Sequence, residues 1–312
     1  MTGRLQTLRP SPVTRGVFDF VGGRPLFPEW QQTLRRPTAW LAGPEPHTNA
    51  RIHLRLFPAP PDTGIVFLPT TGPRKDRPDQ FGEQGRVKTR LEDCDVQGFT
   101  MSVANGHWRV AHIEHLLACL YALNLDNAFV LLRKQVVVTE IFRALGLPLF
   151  RTSTLPYVIA LAKAEMVAQV GSRRRYRTVE APFRLVAPRG GDVIEAAPGS
   201  GLAVAYTAGY QQLGIPDTGY SLDLTPASYT AEISEARTMV NRLNRWHYNV
   251  WRLLGSLYFI TYGFGIGVNR ENAITSIRGE ILSRRRYGGE RSELVRHKIM
   301  DFLAAVRFLG EE

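Results

Sequence analysis

The chain has 312 residues, 44% apolar and 21% charged, with a formal net charge of +11. That balance belongs to a globular protein with room for two domains of ordinary size, and it excludes a disordered or fibrous chain. Two cysteines, Cys94 and Cys119, exclude a disulfide framework or a cysteine metal cluster. No apolar run is long enough to span a bilayer or to open the chain as a signal peptide, so the expected compartment is the cytoplasm.

Residues 1–34 are rich in Arg, Pro and Gly without a strong period, and they read as a loosely structured N-terminal extension. The pattern changes at Arg35. Arg51-Ile52-His53-Leu54-Arg55-Leu56-Phe57 alternates as a half-buried strand must, because successive side chains point to opposite faces. Pro58 to Gly64 is a turn, Ile65 to Leu68 a second strand, and the polar stretch Pro69 to Gly85 a loop. Further short strands are predicted between Arg86 and Val110. Val110 to Leu125 carries Val110, Ile113, Leu117 and Leu120 at helical spacing, so a helix is predicted there with Cys119 buried in it. Ala128 to Leu132 reads as a buried strand. Ser153 to Val170 reads as a second helix, with Pro156 in the first turn, where proline is tolerated.

Gly171 to Arg177 reads as a basic joint, after which the plan repeats. Strands are predicted near Phe183–Val186, Asp192–Ala196, Leu202–Tyr206 and Tyr220–Leu224. Ala227 to Met239 reads as a helix with Thr225 as its N-cap. A strand near Ala273–Ser276 precedes a final helix. The predicted class is therefore α+β, in two similar domains, 35–170 and 177–312, each a sheet layered on helices. The positive charge is nearly all arginine, densest at Arg173–Arg175 and Arg284–Arg286. No nucleic-acid signature accompanies these runs, which read as solvated or linker arginines rather than a nucleic-acid surface.

The final helix contains Glu293-Leu294-Val295-Arg296-His297-Lys298-Ile299-Met300-Asp301. Residues four apart share a helix face, so His297 and Asp301 present an imidazole and a carboxylate to one side, a common ligand pair for zinc or a similar divalent ion. An open catalytic site needs a third ligand and a base near the attacking water. Glu114-His115 offers both, with His115 as ligand and Glu114 as base.

The residues around these positions resemble a known family. Arg109-Val110-Ala111-His112-Ile113-Glu114-His115-Leu116-Leu117, running on to Asn124-Leu125-Asp126-Asn127-Ala128, is similar to the first metal motif of the UDP-3-O-acyl-N-acetylglucosamine deacetylases, the zinc amidohydrolases of lipid A biosynthesis. Val295 to Asp301 is similar to the second motif. Leu56 to Phe67, Tyr220 to Pro226, Glu235-Ala236-Arg237-Thr238 and Gly263 to Gly267 follow in the family's order, so the resemblance runs from about Arg35 to Gly310. It implies two α+β domains enclosing Zn²⁺ held by His115, His297 and Asp301. It also implies Glu114 as general base, Thr207 as the hydroxyl that steadies the oxyanion, and Lys298 as a positive neighbour. The implied partner is a small molecule, an acylated amino sugar or nucleotide sugar. Neither the residues nor the resemblance assigns an oligomeric state.

The chain departs from the family in three places. Gly146-Leu147-Pro148-Leu149-Phe150-Arg151-Thr152-Ser153 stands where the family has Glu-x-Pro-x-x-Asp-Gly-Ser, so Gly146 and Arg151 replace two acids. Asn241 to Tyr262 is longer than its counterpart and rich in Trp and Tyr. The family's later Gly-His-Ala-Leu-Asn-Asn segment, whose histidine protonates the departing amine, has no match before Glu312, and a C-terminally shortened member is expected. His112 and His247 are candidates for the missing acid. These departures leave open a paralogue acting on another N-acyl substrate, or one that binds metal without turnover.

Overall fold

The alternation read in residues 51–57 builds the first sheet. A computed structural model describes residues 17, 19–25, 27–46, 48–71, 75–97, 100–134, 144–188, 192–210, 215–242, 268, 271–277, 280–281 and 290–310. In the first half the strands are β1 (Trp30–Leu34), β2 (Leu41–Pro44), β3 (Arg51–Pro58), β4 (Ile65–Thr70), β5 (Val87–Lys88), β6 (Cys94–Gln97), β7 (Thr100–Ala104), β8 (Arg109–Ala111), β9 (Ala128–Lys134), β10 (Ala144–Gly146) and β11 (Met166–Arg173). Two helices accompany them, α1 (Glu114–Ala122) and α2 (Leu155–Ala164). A five-stranded sheet runs β2-β3-β9-β4-β5, with β4 and β9 parallel and the other pairs antiparallel. On β3, Ile52, Leu54 and Leu56 are fully buried while Arg51, His53 and Arg55 are not, as the period of two requires.

A second sheet, β10-β8-β7-β6, leads directly into α1. Here the structure corrects the helix predicted from Val110. Val110 is in β8, opposite Val103 and Leu145, and the chain then turns through His112 at φ 57° before helix begins at Glu114. Val110 and Ile113 are apolar because strand and turn both face the core, and that mimics helical spacing. The consequence is functional: Glu114 and His115 open the helix instead of lying inside it.

Four other expectations are revised. The second helix stops at Ala164, because Glu165 takes φ 57°, and Met166 onward forms β11 against β1. That pairing draws Trp30–Leu34, expected to be loose, into a sheet, and Val17 and Val21 into the buried core. Gly171-Ser172-Arg173 of the expected joint are strand, and Arg174 is tied down by an ion pair to Asp126 at 2.9 Å. The helix predicted over Ala227–Met239 is only a turn at Pro226–Ser228 that widens at Tyr229–Ile233, and Thr238 already belongs to a strand. Its cap is as read: the Ser228 amide donates to the Thr225 hydroxyl at 2.9 Å.

In the second half the strands are β12 (Phe183–Val186), β13 (Val193–Ala196), β14 (Ala203–Tyr210), β15 (Ile215–Asp223), β16 (Thr238–Arg242), β17 (Ala273–Ile277) and β18 (Glu280–Ile281), followed by α3 (Glu290–Arg307). β12–β13 and β14–β15 are antiparallel ribbons, and β16 pairs with β17 in parallel. The mixture of sheets and few helices is α+β. Arg284–Arg286, His247, Gly263–Gly267 and all of Asn241–Tyr262 beyond Arg242 lie outside the described residues.

The two halves meet where α1 packs along α3. Leu116, Leu117 and Leu120 share one buried cluster with Ile299, Met300, Leu303 and Ala304. The Arg307 guanidinium donates to the carbonyls of Leu125 (3.0 Å) and Asp126 (3.2 Å), just past α1, while His115 meets His297 at the other end. The helices therefore run side by side in one direction, with the first turn of α1 against the middle of α3. No helix among the described residues is long and apolar enough to cross a membrane.

Candidate metal centre

The start of α1 meets the middle of α3. His115, on the first turn of α1, and His297 and Asp301, one turn apart on α3, offer ligand atoms that all lie within 4.8 Å of one another. The imidazole rings stand edge to face with centroids 5.0 Å apart, and His297 Nε2 is 3.4 Å from Asp301 Oδ1. Both histidines are buried and the Asp301 side chain is 30% exposed, so the group opens to solvent at the carboxylate.

The backbone orients His297. Its Nδ1 lies 3.1 Å from the carbonyl of Ala236, which can only accept, so Nδ1 carries a proton and Nε2 is the nitrogen turned toward Asp301. The next residue fixes the helix that brings His297 there. Arg237, 2% exposed, donates from Nε (2.8 Å) and Nη2 (3.1 Å) to the Glu293 carboxylate, which also accepts from the Arg237 amide at 3.0 Å. Glu293 and His297 are four apart on α3, so one helix face meets two successive residues of the chain leading into β16. That buried pair is structural, and the sequence signal that could have found it is the charged residue opening the apolar run at Glu293.

The electrostatics suit a cation. Burial first, then the neighbouring His297 imidazole, pushes the His115 pKa down to about 4, so this ring is a neutral donor at ordinary pH. Burial would raise the Asp301 carboxyl, but His297, Lys298 and His115 outweigh it and hold the pKa below its usual range. Lys298 Nζ donates to Asp301 Oδ2 at 2.9 Å, leaving Oδ1 toward the histidines. Two imidazoles and an ionised carboxylate, three donors with room for a fourth, fit the ligand set of a catalytic divalent ion.

Glu114 sits beside His115, buried at the N-terminus of α1, where the helix dipole favours a carboxylate. The Met101 amide donates to its Oε2 at 3.4 Å. Thr207 is placed differently. On β14, Val204 and Tyr206 face the core opposite Leu222 and Tyr220, so Thr207 lies on the exposed face, across from Gly219. A hydroxyl that the reading from residues did not single out, Thr238, is half-buried two residues beyond the carbonyl that holds His297.

Residues 31–312 match the family described as UDP-3-O-acyl N-acetylglycosamine deacetylase. The UDP-3-O-acyl-N-acetylglucosamine deacetylase of Oleidesulfovibrio alaskensis is 28% identical over 285 residues, covering 89% of this chain and 80% of that protein. The proteins of the same name from Acidithiobacillus ferrooxidans and Thermodesulfovibrio yellowstonii are 27% and 25% identical, each over 90% of this chain and 81% and 83% of their own length. With nearly the whole chain matched, the protein belongs to the UDP-3-O-acyl N-acetylglycosamine deacetylase family.

Proposed function

We propose that this chain is a Zn²⁺-dependent amide hydrolase that removes the N-acyl group of a small molecule, an acylated amino sugar carried on UDP as in the names of its relatives. The observation that carries the reading is the convergence of His115, His297 and Asp301 beside Glu114. Zn²⁺ bound by these three side chains would polarise the amide carbonyl and make water acidic enough to attack near neutral pH. Glu114 accepts the proton from the attacking water and returns it to the amine nitrogen as the C–N bond breaks. Lys298 neutralises and steadies Asp301 through the 2.9 Å contact. The resemblance assigns to Thr207 the hydroxyl that steadies the oxyanion. A cytoplasmic location belongs to the same reading.

The deciding experiment pairs metal analysis with deacylation kinetics. Glu114→Gln should keep its metal and lose about 10²–10⁴-fold in kcat. Metal retention with unchanged turnover would remove Glu114 as the base. In the same assay Thr207→Val should lower kcat with KM nearly unchanged, and undiminished kcat would remove Thr207 from the oxyanion role.

A further inference from the structure

The turn between β8 and α1 carries a feature that the hydrolysis scheme leaves unused. His112 adopts φ 57°, a left-handed conformation that costs a residue with a Cβ about 1–2 kcal/mol. Such strain persists only where the surroundings over-determine it. The ring is nearly buried, with 13% of the side chain exposed, and stands between two carboxylates. His112 Nδ1 is 3.8 Å from Glu114 Oε1, and Nε2 is 3.6 Å from Glu45 Oε1. Both are ion-pair distances.

Glu45 reaches this place from the turn after β2. Its side chain is 8% exposed, and its other oxygen accepts from the Thr48 amide at 2.6 Å and the Thr48 hydroxyl at 2.7 Å. The space exists because residue 146 is glycine: β10 runs beside β8, and a Cβ at Gly146 would collide with the Glu45 carboxylate. Gly146 is also the position where the family pattern has a glutamate. The volume that a side chain at 146 would fill is taken by a carboxylate from residue 45, with an imidazole against it.

We infer that Glu45 and His112 form a positioning pair for Glu114, steadying the Oε1 side of its carboxylate while the Met101 amide steadies Oε2. The inference rests on the reading of Glu114 as base and adds what aims that base. The charged groups facing the ring are Glu114 from α1 and Glu45 from the turn after β2. Burial alone would discharge the imidazole, but the hydrogen bond and charge of Glu114, with the charge of Glu45, raise its pKa above the ordinary value. A buried, charge-paired imidazole between two fixed carboxylates gives Glu114 one orientation, which the proton transfer needs.

Two arms test the pair. Histidine NMR on the metal-free protein should show the His112 ring titrating above a free histidine, and dropping in both Glu45→Gln and Glu114→Gln. A His112 pKa indifferent to Glu45→Gln overturns the proposal. In the kinetic arm, glycine suits the left-handed backbone, which offsets part of the cost of leaving the Glu45 and Glu114 carboxylates without the imidazole. Circular dichroism checks that His112→Gly is folded before its kinetics are read. The folded variant should lose about 10–100-fold in kcat, with KM and metal content unchanged and partial rescue by free imidazole. Glu45→Gln should fall in the same range, and the double variant should be no worse than the lower single. Undiminished kcat in His112→Gly overturns the pair while leaving hydrolysis standing. No deacylation by the parent protein defeats the hydrolase reading instead, and the NMR arm then decides the His112–Glu45 contact by itself.

Discussion

His112 and His115 lie on either side of Glu114, and their surroundings shift their pKa values in opposite directions. Both rings are buried, and burial alone favours the neutral form in each. At His115 a second imidazole adds to burial, and the ring stays neutral down to about pH 4. At His112 two carboxylates override burial, and the ring favours its proton. The same residue type, at nearly the same depth, thus serves as a lone-pair donor on one side of the carboxylate and, with its pKa raised, as a proton-holding contact on the other. Which neighbours the fold packs against each ring decides the difference.

The comparison can be broken most sharply through α3, which supplies only the His115 side. Glu293→Ala leaves the Arg237 guanidinium buried without its carboxylate, at a cost of about 3–5 kcal/mol. Urea unfolding should report that loss, and metal titration a weakened site, while His112 keeps its raised pKa. Metal affinity equal to the parent's would show that the Arg237–Glu293 pair does not set the position of His297.

Acid should separate the two rings next. A histidine with a lowered folded pKa binds its proton more readily when unfolded, so the metal-free protein should lose up to about 3 kcal/mol through His115 as pH falls from about 6.5 to about 4. Asp301, with a depressed pKa, contributes stability above the unfolded carboxyl value, lost as pH falls through its folded one. His112 has the opposite sign: its contribution is complete below about 6.5 and lost as pH rises through its raised folded pKa. Unfolding curves across this range should show the acid-side slope shrinking in His115→Gln. An unchanged slope would put the neutral ring elsewhere.

The smallest effect belongs to Lys298. Its ammonium is 29% exposed against a 30% exposed carboxylate, so Lys298→Met should cost at most about 1 kcal/mol of stability. It should raise the Asp301 pKa toward the ordinary value and leave His112 untouched. A shift at His112 in that variant would mean that the two sides are coupled through Glu114.

Much of this centre was legible in the residues. His297 and Asp301 share a face because helical geometry repeats after one turn, and the apolar run around them announces the helix. The strand at residues 51–57 and the Thr225 cap are equally local and came out as read. Expectations failed where an apolar stripe was ambiguous. Val110 looked like the first turn of a helix and is a strand residue, and Met166–Val170 looked like helix and pairs with β1.

The amino-acid order alone determined the α+β class, the donor types and their spacing within each helix, because those follow from backbone periods of two and 3.6 residues. Only the tertiary structure decided that His115 faces His297, that Arg237 closes on Glu293, and that Glu45 enters the space left at Gly146 beside His112. Those contacts join residues far apart in the chain, and charge is set by burial and by what lies across a few ångströms, neither of which any local repeat encodes.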